Sequence, residues 1–245
     1  MIRARPLVSL HSGALSLAIL LITASIQAPE GQSAEQAGAM PTTEVAFEND
    51  RVLAERVTIA PGQRTGPRTA HINELVIFIR GGVLTSMTSG RSVWWRDGRV
   101  AWHGAEDALD AGSFNSGAAP IVIVRIKLKP HPHAAHGPFV KAQPVSYPNI
   151  AGEDLLENDH LIVQRFIMQP GQWEGVHAHE PNTLWVFIKG GRSASRTKRE
   201  PEHPYPRAFE DGEVGWMPAI DLTEGHESKN IDDHPEDWLW VSLKD

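Results

Sequence analysis

The chain repeats itself, and that repetition limits its fold more than any other feature. Glu48-Asn49-Asp50 returns as Glu157-Asn158-Asp159, 109 positions later, and at the same offset Arg56 meets Arg165 and Pro61-Gly62-Gln63 meets Pro170-Gly171-Gln172. The register continues without a gap through Gly66 and Gly175, Asn73 and Asn182, Leu75 and Leu184, Phe78-Ile79 and Phe187-Ile188, and Gly81-Gly82 and Gly190-Gly191. Chance matches scatter across registers, whereas these hold one and fall on turn residues and apolar positions. Two copies of one small unit therefore share a 245-residue chain, a length that admits two domains of about 120 residues.

Within each copy the apolar residues come in short runs closed by turn formers. Residues 51–60 and 160–169 contain β-branched and apolar runs, each stopped by Pro-Gly. Residues 75–79 and 184–188 are continuous apolar runs ended by Gly-Gly, as buried strands are. Residues 121–126 and 238–243 predict the last strand of each unit. With 21 Gly and 18 Pro the chain is rich in turns. The expectation is an all-β protein of two antiparallel units, sandwiches or barrels, with little helix.

The first unit is expected at 43–129 and the second at 150–245, joined by a Pro- and His-rich linker over 130–149 that lacks periodicity. Ahead of them, Arg3 and Arg5 precede an apolar stretch from Ala14 to Ile22 and small residues near Ala24 and Ala28. That order predicts a secretory signal peptide over 1–28, cleaved after Ala24 or Ala28, and a disordered leader over 29–42. The apolar stretch is well short of the ~20 residues that span a bilayer as a helix. The expected location is secreted or periplasmic.

Composition excludes several functions. A formal charge of −7 argues against nucleic acid or an anionic membrane as main partner, and 41% hydrophobic residues are too many for a disordered chain. The absence of Cys removes disulfides, thiolate nucleophiles and Cys-ligated metal together. No nucleophile elbow, P-loop or dinucleotide fingerprint is present.

Histidines carry the remaining signal. His177 follows Gly171 by six positions and His179 is two further on, so on a strand both imidazoles point into one cavity. His226, on a neighbouring strand, can close a facial triad. In this respect the sequence resembles the cupin family. Its first motif reads here Gly171, His177, His179, Thr183, Gly190, and its second Gly212, Pro218, His226, Asn230, with extra residues between Pro218 and His226. The resemblance implies two tandem cupin barrels, of the double-stranded β-helix or jelly-roll type, covering about 43–129 and 150–245.

The resemblance also implies departures. The family's Glu ligand is replaced by Thr183, while Glu180 should point outward beside His179. In the first unit Arg68 and Ala70 stand where the paired histidines would be, and Ala111 stands four before Asn115 where the third would be. His71 and Glu74 remain there, so that barrel is expected to be metal-free and to serve packing or small-molecule binding. The second barrel is expected to hold one divalent ion, Zn, Cu, Fe, Mn or Ni, on His177, His179 and His226. Thr183, Trp185 and Asn230 are expected to support the site or line the pocket. Two functions stay open: a dioxygenase-like or hydrolytic metalloenzyme acting on a small oxygenated or anionic ligand, and a non-catalytic ligand-binding or structural bicupin without metal. A monomer and a homodimer are both expected states.

Overall fold

The computed structural model of the chain describes residues 40–66, 70–107, 112–130 and 143–244. The expected signal peptide, most of the leader, Arg68, Ala111 and the linker histidines His131, His133 and His136 lie outside the described residues. All described residues belong to one compact unit, Ser33–Asp245.

The first copy contributes β1 (Thr42–Glu48), β2 (Val52–Ile59), β3 (Glu74–Arg80), β4 (Gly82–Ser86), β5 (Ser92–Trp95), β6 (Val100–His103), β7 (Ser113–Asn115) and β8 (Ile121–Leu128). The second contributes β9 (Glu153–Glu157), β10 (Leu161–Met168), β11 (Thr183–Lys189), β12 (Ser193–Arg196), β13 (His203–Pro204), β14 (Val214–Met217), β15 (Glu227–Asn230) and β16 (Glu236–Leu243). One short 3-10 turn, Leu222–Glu224, is the whole helical content of the described residues.

The two copies have one topology. A five-stranded sheet in the order β1-β2-β8-β3-β6 is matched by β9-β10-β16-β11-β14, and a three-stranded sheet β5-β4-β7 by β13-β12-β15. In each copy the last strand inserts between the second and third, the long-range antiparallel pairing of a jelly roll. The two tandem barrels expected from the repeat are present.

Side-chain alternation explains why the long strands are apolar throughout. On β2, Val52 and Ala54 face away from the barrel interior, while Val57 and Ile59 face into it with Val76, Phe78, Ile121 and Ile123. The outward face is not wet. Val52, Leu75, Ile77 and Val124 of the first sheet pack in one cluster with Leu161, Leu184, Val186 and Leu239 of the second. The largest apolar cluster is thus formed by the two large sheets against each other, and its burial joins the barrels into one body.

The contact between barrels is reciprocal. Arg165 lies over Gly98 of the first barrel, where an added Cβ would stand 2.7 Å from the guanidinium carbon, and Arg56 lies over Gly212 of the second, 3.2 Å from its Nε. The matched arginines therefore cross to matched glycines, as duplicated halves related by a two-fold axis do. Phe47 stacks on Trp216 and Trp102 on His160 across the same boundary.

A buried asparagine ties off each copy. Asn115 donates from Nδ2 to the carbonyls of Ile59 (2.9 Å) and Ala119 (2.8 Å), and accepts the N–H of Gly117 (3.0 Å). Asn230 repeats this with Met168 (3.0 Å), His234 (2.8 Å) and Asp232 (2.8 Å). Asn230, expected near the metal pocket, is a backbone clamp: its amide is spent on two carbonyls and an N–H at the end of β15. The same clamp in the histidine-poor first barrel shows that its purpose is structural.

Candidate metal centre

The segment after β10 leaves through Pro170 and Gly171, whose φ of 75° makes the turn, and then runs beside the stretch that leads into β15. Bridges pair Trp173 with Lys229 and His179 with Ile220, and the His177 N–H donates to the His226 carbonyl at 3.3 Å. This pairing, rather than a regular strand, turns His177 and His179 inward and sets His226 beside them. The three residues are 2, 3 and 9% exposed, and one ligand atom from each lies within 4.8 Å of the others. The structure brings together the three histidines nominated from sequence.

Their hydrogen bonds test whether a cation suits them. His177 Nδ1 lies 2.9 Å from the Gly175 carbonyl, which can only accept, so Nδ1 carries the hydrogen and Nε2 is left with its lone pair. That Nε2 faces His179 Nε2 at 2.7 Å, and His179 Nδ1 is buried without any partner. Burial lowers the pKa of His177 to about 4 and of His179 to about 3, and lowers that of His226, so all three are neutral at neutral pH. Neutral imidazoles with lone pairs turned to one point, one of them anchored through its other nitrogen to a carbonyl, are the donor set of a divalent transition ion. The residues fit a metal.

A carboxyl group borders the cluster that the sequence reading missed. Glu174 is buried, with Oε1 3.6 Å from His177 Nδ1 and 4.0 Å from His226 Nε2, and it accepts the Ser228 N–H at 2.7 Å. Burial pushes its pKa up to about 8, against the lowering effect of the Ser228 bond. Strict alternation would put positions 174 and 177 on opposite faces. Gly175, at φ 88° with Pro148 packed where a Cβ would be, breaks the alternation and brings them to one side. Thr183 brings no carboxylate to the cluster, whose ligand atoms come from the three histidines alone, as expected; Glu174 borders them as a buried, protonated carboxyl.

The remaining expected residues divide. Trp185 lines the cavity beside the histidines, together with Phe187, Tyr205, Trp238 and Trp240. Thr183 is fully buried and lies outside that lining, its hydroxyl within 3.3 Å of the Glu180 carbonyl and 3.5 Å of Ser242 Oγ. Asn230 is outside it as well, for the reason given above. Glu180 is exposed, as expected of a residue beside an inward His179. In the first barrel Glu74 is buried, but His71 is exposed in a turn and lines a different cavity, so no pair forms there.

Tyr147, within the stretch read as linker, is also part of the site. It is buried, its ring meets His177 edge-on at 4.4 Å, and its hydroxyl accepts the Trp240 Nε1–H at 2.5 Å. Burial raises its pKa well above the ordinary phenol value, so it stays protonated. Trp240 in turn lies 4.8 Å from the His179 ring. Across the cavity, both carboxyl oxygens of buried Glu236 lie within 2.8 Å of the Ser193 hydroxyl, and burial raises the Glu236 pKa to about 7. The cavity itself is small, about 70 Å³.

No family model matches the sequence, and no curated protein is significantly similar to it. Solved structures do share its fold. The chain is similar to Bacillus subtilis oxalate decarboxylase, studied at its Mn(II) centres, with 12% identity, 84% of this chain and 72% of that chain covered, and a TM-score of 0.52. It is similar to AerE from Microcystis aeruginosa at 10% identity, with 84% and 98% covered and a TM-score of 0.51. It also resembles a variant of salicylate 1,2-dioxygenase from Pseudoaminobacter salicylatoxidans, at 12% identity, 79% and 70% covered and a TM-score of 0.50. Likeness at such low identity speaks for the fold alone.

Proposed function

Starting from a chain with two tandem cupin barrels, we propose that the C-terminal barrel holds one divalent metal ion on His177, His179 and His226 and presents it to a small anionic, oxygen-bearing ligand. The observation that carries this reading is the convergence of three buried, neutral imidazoles from two separate segments on one point. Nitrogen donors of this kind suit Zn, Cu, Fe and Ni, and Mn where oxygen ligands complete the site. Export through the basic and apolar N-terminus favours Zn, Cu or Mn, because Fe(II) is hard to keep reduced outside the cytoplasm. When bound, the ion supplies Lewis-acid polarisation or oxygen chemistry.

The chain's own groups supply the rest. Glu174 is held at Oε1 by the Ser228 N–H, so its carboxyl stands at the cavity wall where it can take or hand over a proton. The aromatic wall of Phe187, Trp238 and Trp240 keeps water from the sides of the cluster. A cavity of about 70 Å³, against the roughly 300–1,000 Å³ of ordinary ligand pockets, admits a very small substrate or the tip of a larger one. A dioxygenase-like or hydrolytic step on a small acid is the activity this supports. The large sheets already cover each other within the chain, which favours a monomer.

A second reading rests on the 2.7 Å contact of His177 with His179, which in a metal-free protein is a plain hydrogen bond within a non-catalytic bicupin. Elemental analysis of protein purified without a His tag decides between them, beside a His177→Ala/His179→Ala variant. We expect close to one metal per chain, lost in the variant. Metal absent from both after reconstitution would sink the enzyme reading and leave the second.

A further inference from the structure

The interior of the N-terminal barrel differs in kind from its twin. It holds a cavity of about 450 Å³, several times the volume beside the histidines and within the range of ordinary small-molecule sites. Its apolar wall is built from Val76, Phe78, Leu84, Trp95 and Ile123, with Phe78 and Trp95 stacked at 4.5 Å. Two charged side chains stand in that wall. Arg125 on β8 is 9% exposed and Glu74 on β3 is 4% exposed.

These two charges are not spent on each other or on neighbours. In the sheet, Val76 is opposite Arg125 and Glu74 is opposite Lys127, so Glu74 and Arg125 are diagonal neighbours, yet they form no ion pair within 4.0 Å. Glu55, opposite Arg125 on the other side, pairs instead with Lys127 Nζ at 2.8 Å. Arg125 gives one N–H, from Nη2, to the Thr65 carbonyl, and its Nε has no partner. Among the described residues, then, a buried guanidinium lacks a counter-charge and faces a cavity. Arginine offers a planar fork that matches a carboxylate, and burying it unpaired is unfavourable unless an anion joins it. The position is the one that Trp240 holds in the other barrel, so the change replaces a wall of the metal pocket with a cation.

We propose that the N-terminal barrel is a metal-free binding site for a small organic carboxylic acid that also bears a hydroxyl or amino group. The acid's carboxylate takes the terminal nitrogens of Arg125, whose Nε is sealed from the cavity, its apolar body lies against Phe78 and Trp95, and its O–H or N–H donates to Glu74. Arg64, exposed and in the same lining, adds a second positive charge to the site. This site is independent of the histidines in the C-terminal barrel.

The test is thermal denaturation and calorimetric titration of the full chain with propionate, lactate, benzoate and 4-hydroxybenzoate, each beside its neutral amide. Wild-type protein and the His177→Ala/His179→Ala variant are expected to show saturable stabilisation by the acids and none by the amides, with the hydroxyl-bearing acids bound more tightly. Arg125→Met should keep its fold, because it removes an unpaired buried charge, and should lose affinity by at least about thirtyfold. Arg125→Lys, which keeps the charge and loses the fork, should also bind weakly and decides the matter if Arg125→Met does not fold. Glu74→Gln should erase the advantage of the hydroxyl. The proposal is overturned if no acid in the set binds, if amides bind as well as acids, if binding survives loss of Arg125, or if it vanishes in the histidine variant.

Discussion

Replacing Asn230 by Ala is expected to cost about 3 kcal/mol of folding stability while leaving the histidine cluster intact. The side chain has no exposed surface, and it makes three hydrogen bonds, to Met168 (3.0 Å), His234 (2.8 Å) and Asp232 (2.8 Å). A buried hydrogen bond contributes about 1 kcal/mol net, and Ala would strand two carbonyls and one N–H. At about 2–4 °C per kcal/mol for a chain of this size, Tm should fall by about 6–12 °C. Asn115 has the same three-bond pattern in the first barrel, so Asn115→Ala should cost a similar amount. Because the largest apolar cluster draws on both barrels, either variant should move one shared transition. Urea titrations followed by tryptophan fluorescence and by far-UV circular dichroism measure this, with metal content determined alongside. Losses under about 1 kcal/mol in both variants would refute the hydrogen-bond reasoning. A transition split in two would refute the shared core, and metal loss from folded Asn230→Ala would show that the clamp also serves the site.

Four other outcomes are expected. In metal-free protein, His177 and His179 have folded pKa values of about 4 and 3, below the unfolded value of 6.5, so the stability they contribute is present above pH 6.5 and is lost as pH falls towards those values. Glu174 acts in the opposite direction: its folded value of about 8 lies above 4.5, so its contribution is present below pH 4.5 and is lost as pH rises through 8. Glu174→Gln should therefore gain on metal-free wild type between pH 4.5 and 8, by more than about 1.4 kcal/mol at the upper end, and pH-dependent urea unfolding that shows no gain counts against a buried, protonated Glu174. Gly175→Ala forces a side chain into φ 88° and against Pro148, 2.9 Å away; it should destabilise by about 1–2 kcal/mol and weaken metal binding, read by denaturation and metal titration. Tyr147→Phe leaves the Trp240 N–H without its acceptor and should cost about 1–3 kcal/mol with a shifted tryptophan emission, whereas an unchanged spectrum and Tm would show that this bond is not formed in solution.

Much of the molecule follows from local pattern. The 109-residue register and the apolar runs around Leu75, Leu184, Ile121 and Trp238 are enough for two like β units, because strand-forming runs and Pro-Gly or Gly-Gly stops act over a few residues. The i, i+2 spacing of His177 and His179 nominates them as a pair, although isolated bridges rather than a strand turn them inward, and His226 follows from the resemblance to the cupin motif in spite of the extra residues after Pro218. What lies beyond that depends on distant contacts. Glu174 reaches the cluster because one left-handed glycine reverses the alternation, and a glycine's φ is not written in its letter. Asn230 has the right spacing for the site, but the carbonyls that claim its amide come from Met168, 62 residues away, and from His234. Tyr147 belongs to a segment with no periodicity, and only its packing against His177 and Trp240 gives it a place. Arg125 sits in an apolar strand like a solvent-edge residue; its isolation appears only when Glu55 is seen to pair with Lys127 and Glu74 to stand apart. The doubly apolar strands require both faces to be covered, and only the tertiary structure decides that each large sheet is covered by the other copy. Short-range pattern sets which faces must leave water, while the partner that covers each face, and the charge left without one, are set by contacts between residues far apart in the chain.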